Sequence, residues 1–195
     1  MAEPAGRHYV TFAEYLAFEL ASETKHEYVD GQILDRFGDN PDHGLVSANV
    51  TAELGNELHD RHYRVYGPDV RIRVEATGAS LYPDVTVVCG RLQLDAEDKD
   101  AIVNPVVLVE VLSQRTEGYD RGEKFAHYRR IPSLREYVLV SYKTRRVEVF
   151  RRHDLGGWAL YEAQGSESIE LASIGCMLAL DEVYSKAFEE PELVS

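Results

Sequence analysis

The sequence predicts an α/β domain, with helices packed against a mixed sheet. Three observations carry that expectation. The apolar runs Tyr82–Cys89 and Val106–Leu112 have the length and β-branched content of buried strands. Helical signatures alternate with extended segments in the order α, ββ, α, ββ(β), α, βββ. A chain of 195 residues, 44% hydrophobic and 28% charged, suits one folded unit with a sizeable core.

Residues 1–9 read as a disordered tail, with a single domain expected over 10–188 and a loose end over 189–195. Thr11-Phe12-Ala13-Glu14 has the form of a capping box. A helix is expected from there to about Ser22, with Phe12, Tyr15, Leu16 and Leu20 as its apolar stripe. Asp30-Gly31, inside Glu27–Leu34, marks a hairpin turn, and Phe37–Pro41 reads as a loop. A second helix is expected over about 42–62, with Leu45, Ala48, Ala52 and Leu58 on one face and Gly55 weakening it. Val65–Glu75 reads as strands broken at Gly67-Pro68, and Thr77–Ser80 turns the chain into Tyr82–Cys89. Asp95–Asp100 is an acidic surface loop or short helix. A helix over about 119–130 stops ahead of Pro132. Residues 136–142 and 145–151 form a hairpin around Lys143-Thr144, and Trp158–Ala163 adds a strand.

The net charge of −13 argues against a protein that coats nucleic acid without regard to sequence. Its distribution is uneven. Residues 113–152 hold eleven basic and five acidic side chains, +6 in all, so the remainder carries −19. An anionic partner could dock on that segment, or it could be a solvated face beside an acidic one. No apolar run reaches the roughly 18 residues of a membrane span, and the N-terminus lacks a basic patch and an apolar stretch of the secretory kind. Cys89 and Cys176 are far apart and outside any CxxC, which suits reduced thiols in the cytoplasm; Cys89 is expected to be buried at its strand end.

Glu110 stands inside Val106-Val107-Leu108-Val109-Glu110-Val111-Leu112, where a carboxylate is costly to desolvate without a cation or donors. Asp84 opens the other strand. Both are hard oxygen ligands suited to Mg²⁺ or Mn²⁺. If their strands are neighbours, Asp84, Glu110 and the Val111 carbonyl could share one cation. Lys124 is four residues from Asp120 and four from Tyr128, so the three project from one helix face. Beside the metal its ammonium could orient water or stabilise charge on a phosphoryl oxygen, which suits in-line attack on a phosphodiester. Alternatively, the strand acid pairs with an arginine, and Asp120–Lys124 is a surface pair worth about 0.3–0.5 kcal/mol. His43 could touch phosphate or metal, or cap a helix. His59 and His62 have no partner ligand and read as surface residues. Tyr63, Tyr66 and Tyr82 could stack on bases or simply pack.

Glu27-Tyr28-Val29-Asp30-Gly31, His43, Pro83-Asp84, Pro105–Ser113, Asp120-x-x-x-Lys124-x-x-x-Tyr128, Glu136-Tyr137 and Val147–Phe150 follow one another in an order that resembles the Uma-two restriction endonuclease family of the PD-(D/E)XK nuclease superfamily. The likeness runs from about Val10 to about Tyr184. It implies a restriction-endonuclease-like fold, a mixed central sheet flanked by helices, and a Mg²⁺- (or Mn²⁺-) dependent DNA endonuclease. Carried over, Asp84 and Glu110 are metal ligands, Lys124 is the catalytic lysine, Glu27 is a further acid near the metal, and Tyr128 supports the lysine helix. The superfamily's D/E-x-K spacing would put lysine at Leu112, so here the following helix supplies it. The family's Glu-Tyr-Trp-x-Val-Asp-Pro run appears as Glu136–Tyr142, without the tryptophan and the aspartate. DNA is the implied partner, and a homodimer is expected for cutting both strands of a duplex. Two other expectations compete: a catalytically silent nucleic-acid-binding or oligomerisation module on the same fold, and hydrolysis of a small phosphodiester.

Overall fold

Among the described residues the extended segments assemble into two large sheets and a separate two-stranded one, rather than a single sheet. A computed structural model describes residues 9–36 and 41–188. The expected tail apart from Tyr9, residues 37–40 of the expected loop, and the C-terminal end lie outside the described residues. Helix α1 (Phe12–Ala21) leads into the hairpin β1 (His26–Val29) and β2 (Gln32–Asp35), then α2 (Pro41–Glu57). Strands β3 (Tyr63–Tyr66), β4 (Arg71–Val74), β5 (Ala79–Leu81), β6 (Val85–Cys89), β7 (Ala101–Ile102) and β8 (Pro105–Val111) follow. The next helical segment comprises α3 (Glu117–Tyr119), a wide π-helical turn over Asp120–Lys124, and α4 (Phe125–Tyr128). The chain ends in β9 (Glu136–Val140), β10 (Arg146–Arg152), β11 (Trp158–Gln164), β12 (Ser168–Leu171), β13 (Cys176–Ala179) and α5 (Leu180–Val183).

One sheet has the order β11-β10-β9-β8-β6-β3, the other β2-β1-β5-β4-β7, and β12 and β13 pair with each other. Strands β8 and β9 run parallel, as a crossover through a helix requires, while their sheet's other pairs are antiparallel. This is the expected mixed α/β architecture.

Alternation along β8 positions everything that follows. Val107, Val109 and Val111 join a core with α2, β13 and α5. Leu108 and Leu112 join a second core with Ile72, Val74 and Leu81 of the five-stranded sheet and Tyr128 of α4. A period of two therefore aims Glu110 between the two sheets, toward the lysine helix.

Several expectations change. The capping box forms, with Thr11 N–H donating to Glu14 Oε2 at 2.8 Å. The buried position one turn beyond Tyr15, however, is Glu19; Leu20 is 70% exposed. Glu19 is tolerated there because it accepts the His26 amide at 3.1 Å and the Tyr82 hydroxyl at 2.7 Å. Helix α2 ends at Glu57 and buries Val46, Val50, Leu54 and then Leu58, so the expected stripe is rotated and Ala48 and Ala52 are exposed. Tyr82-Pro83-Asp84 interrupts the expected Tyr82–Cys89 strand between β5 and β6. Cys89 is exposed rather than buried. The β12–β13 hairpin was not anticipated; fully buried Glu136 ties it to β9, accepting the Ala172 and Ser173 amides at 3.1 Å and Arg151 Nε at 2.7 Å.

The acidic stretch at 95–100 is not wholly a surface feature. Asp95 and Asp98 are buried, and Asp98 takes Arg71 in a two-pronged pair, Nε to Oδ2 at 2.7 Å and Nη2 to Oδ1 at 2.9 Å. Arg71 also donates to the Tyr82 hydroxyl at 3.0 Å. Asp98→Ala removes that partner from a buried guanidinium and is expected to cost about 3–5 kcal/mol, measured as a lower urea midpoint at unchanged slope.

Candidate active site

Three acids converge on one lysine where the two large sheets meet. Lys124 is 4% exposed, and its Nζ is 2.9 Å from Glu110 Oε1, 3.0 Å from Glu27 Oε1 and 3.7 Å from Asp120 Oδ1. It also donates to the Tyr82 carbonyl at 3.2 Å. Burial would lower its pKa, but Glu110, Glu27 and Asp120 together hold it well above the usual lysine range. Lys124 is a fixed cation.

Each neighbour is placed by a different element. Glu27, on β1, accepts the Tyr82 amide at 3.0 Å on Oε1 and the Tyr119 hydroxyl at 3.2 Å on Oε2. Tyr82 thus holds Glu27 with its N–H and Lys124 with its carbonyl, while its hydroxyl is held by Glu19 and Arg71. Tyr128, expected to support the lysine helix, donates to Glu110 Oε1 at 3.1 Å. The Asp120 carbonyl, inside the wide turn, accepts the Tyr137 hydroxyl at 3.0 Å, and Phe125 stacks on the Tyr137 ring with centroids 5.0 Å apart. These contacts clamp the lysine helix to β9.

Asp84 lies at the mouth of the same hollow. Its Oδ2 accepts the Val111 amide at 2.7 Å and stands 3.4 Å from His43 Nε2; its Oδ1 takes Arg36 Nη2 at 2.7 Å. Burial would raise its pKa, yet His43 and then Arg36 hold it below the ordinary value. Glu110 goes the other way. Burial pushes its carboxyl well above normal, Lys124 opposes this, and Asp120, Asp84 and Glu27 add to the rise. Asp120 is raised as well, chiefly by burial.

The structure therefore brings Asp84, Glu110, Lys124, Glu27, Asp120, Tyr128 and His43 together. Val111 lines the hollow, and it is the amide rather than the carbonyl that contacts Asp84. Asp120–Lys124 is a buried pair, not the surface pair weighed as an alternative. The arginine pairing expected as an alternative for a strand acid exists, but at Asp84 rather than Glu110. Sequence reasoning missed Arg36, Tyr119 and the Tyr82 main chain. The Arg36–Asp84 contact joins positions 48 residues apart, for which the sequence has no local signal.

The hollow has a volume of roughly 270 Å³ and is also lined by Arg115 and Thr116. The acids exceed the cations that line it: Glu27, Asp35, Asp84, Glu110 and Asp120 against Lys124, Arg36 and Arg115. Among the described residues no three His, Cys, Asp or Glu side chains form a ready-made metal cage. Mg²⁺, however, commonly uses only one or two carboxylates together with water and substrate phosphate. Glu110, which lines the hollow, is met on Oε1 by Lys124 and Tyr128, and Asp84 Oδ1 by the Arg36 side chain. Two hard oxygens in an over-acidic pocket fit a hard divalent cation.

The basic segment looks different once folded. Arg121, Lys143, Arg145, Arg146 and Arg151, besides Lys124, are engaged by acids, for example Arg121–Glu148 at 2.5 Å and Arg145–Asp181 at 3.0 Å. Glu117, Glu136 and Glu148 belong to the same window and are already counted in its +6; acids from outside it meet Lys124 (Glu27 and Glu110), Arg145 (Asp181) and Arg146 (Glu162).

The family described as “Putative restriction endonuclease” (Uma2) matches residues 12–181. The chain belongs to the Uma2 family. Two proteins of Synechocystis sp. are similar to this Uma2 chain. “Uncharacterized protein slr1290” is 36% identical over 88% of this chain and 89% of its own length. “Uncharacterized protein sll1609” is 32% identical over 82% of this chain and 90% of its own. A crystal structure described as “a putative nuclease belonging to DUF820” from Anabaena variabilis superposes with a TM-score of 0.73, covering 90% of this chain and 98% of that one at 16% identity. That likeness shows that this Uma2 protein and that chain share one mixed α/β fold. Among its described residues no helix is long and apolar enough to cross a membrane.

Proposed function

We propose that this Uma2 protein is a divalent-metal-dependent DNA endonuclease whose site comprises Asp84, Glu110, Lys124 and Glu27. The observation that carries the reading is the surplus of buried carboxylates around one lysine at the meeting of the two sheets. Asp84 and Glu110, with the Val111 carbonyl, would hold Mg²⁺ or Mn²⁺. The ion would supply Lewis-acid stabilisation of the charge that builds on the phosphoryl oxygens.

The chain's own groups define the rest of the mechanism. Lys124, 2.9 Å from Glu110 and 3.0 Å from Glu27, would stand as a positive group beside the reacting phosphate. Glu27 and the Tyr82 carbonyl fix its direction. Asp120 adds a third acid, and Tyr128 and Tyr119 orient the carboxylates they donate to. Cleavage of both strands of a duplex calls for two copies, so a homodimer acting on cytoplasmic DNA is part of the proposal.

The test is nicking and linearisation of supercoiled plasmid with Mg²⁺ or Mn²⁺. Cleavage by the wild-type chain is expected, with Asp84→Asn reducing it by about 10²-fold or more. If supercoiled, linear and single-stranded DNA all survive in both ions, the hydrolase reading is wrong. The competing reading is a catalytically silent module on the same fold, and the net charge of −13 favours its oligomerisation form over its DNA-binding form. The DNA-binding form requires salt-sensitive DNA binding that ignores Asp84→Asn.

A further inference from the structure

Arg36 stands where the proposed cation would have to bind. Its Nη2 lies 2.7 Å from Asp84 Oδ1, the one Asp84 oxygen not held by the main chain. The guanidinium also feels the charges of Glu110 and Glu27. Its other terminal nitrogen, Nη1, donates to the Pro68 carbonyl at 3.4 Å. Arg36, His43 and Asp84 are shared between the site hollow and a second hollow of roughly 560 Å³ that runs along Ser47, Ala48 and Thr51 of α2. Arg36 is thus on the wall between the acids and an open groove, with its side chain 22% exposed. Asp84 itself is fixed from the opposite side by the Val111 amide at 2.7 Å, so it stays in place when Arg36 moves.

We propose that Arg36 is an exchangeable counter-ion. It neutralises Asp84 in the cation-free protein, yields Asp84 Oδ1 when a divalent cation binds, and then presents its planar guanidinium to a non-bridging oxygen of the phosphodiester entering from the α2 groove. The proposal rests on the nuclease reading and extends it by assigning the phosphate contact. The chemistry is direct: a guanidinium released from a carboxylate meets phosphate with the same paired donors. Guanidinium and divalent cation compete for Asp84 Oδ1, so the ion pair that holds Arg36 weakens metal binding until substrate rewards its release.

Two binding measurements on the whole chain test this: Mn²⁺ titration without DNA, and binding of a short duplex in Ca²⁺. Wild type is compared with Arg36→Gln, Arg36→Lys and Asp84→Asn, each checked for a wild-type circular dichroism spectrum. Arg36→Gln is expected to bind Mn²⁺ about five- to tenfold more tightly than wild type while binding the duplex more weakly. Arg36→Lys, which keeps the charge but not the fork, is expected to fall between them in both assays. A residue that merely holds the fold would lower both affinities. Unchanged or weaker Mn²⁺ binding by Arg36→Gln, with wild-type binding still dependent on Asp84, overturns the exchange and leaves the nuclease reading intact. Mn²⁺ binding that is absent from wild type, or indifferent to Asp84→Asn, overturns both.

Discussion

Lys124→Met is expected to abolish cleavage and to destabilise the protein more at pH 8 than at pH 5. The ammonium lies 2.9 Å from Glu110 and 3.0 Å from Glu27, with Asp120 at 3.7 Å, and all four groups are buried. Methionine fills similar volume but leaves three acids facing one another without their cation. Breaking a buried pair in this way costs about 3–5 kcal/mol when the remaining charge is not neutralised. Protonation is the way out, and it is easiest at Glu110, whose carboxyl is already pushed up. The loss should therefore shrink as pH falls, read as converging urea midpoints of mutant and wild type. Cleavage should drop by about 10²–10³-fold, the cost of removing one pre-placed charge-stabilising group. A Lys124→Met protein as stable as wild type at pH 8 would show that the acids have another counter-ion.

Glu110→Gln should act in the opposite direction on stability while having a comparable effect on activity. The folded protein binds a proton at Glu110 more tightly than the unfolded chain does, because burial and then its acidic neighbours raise the pKa. That contribution to stability is complete below the ordinary glutamate value of about 4.3. It is lost as pH rises through the raised folded value. Glutamine keeps the shape and cannot ionise, so in chelator the variant should gain on the order of 1 kcal/mol over wild type as pH rises above about 5. With Mg²⁺ or Mn²⁺ present the ranking should reverse. Wild type should then rise in Tm with metal concentration, more at higher pH, since a carboxylate must be deprotonated to bind. The variant should not respond, and its cleavage should fall with its metal binding. Equal metal-induced shifts in the two proteins would remove Glu110 from the proposed ligand set.

Local signals were read well where local physics governs. Thr11 and Glu14 satisfy each other within one turn, and that contact is the same in peptide and protein. The spacing of Asp120, Lys124 and Tyr128 kept the three on one face even through the wide turn, because a four-residue step remains close to one turn there. Inward-facing stripes were read less well. Leu20 and Ala52 were expected inside and are exposed, while Glu19 is buried. Their positions depend on what packs against the helix: His26 and Tyr82 offer donors to Glu19, and Val46, Val50 and Leu54 meet a valine-lined sheet face. The two-sheet division and the β12–β13 hairpin also escaped, since strand partners are chosen by non-local hydrogen bonding.

For the site, residue identities alone supplied the chemistry: two acids at strand ends, an amine and an acid a helical turn apart, and the family order that links them. These follow from period and spacing, which are properties of the chain before it folds. What waited for the folded molecule was the assignment of partners. Arg36 meets Asp84 across 48 positions and Tyr119 meets Glu27 across 92. Such contacts exist only once sheet order has closed the intervening loops. The direction in which each carboxyl titrates waited too, because desolvation and Coulomb energy depend on burial and distance: Asp84, met by Arg36 and His43, stays acidic, while Glu110, crowded by other acids, does not.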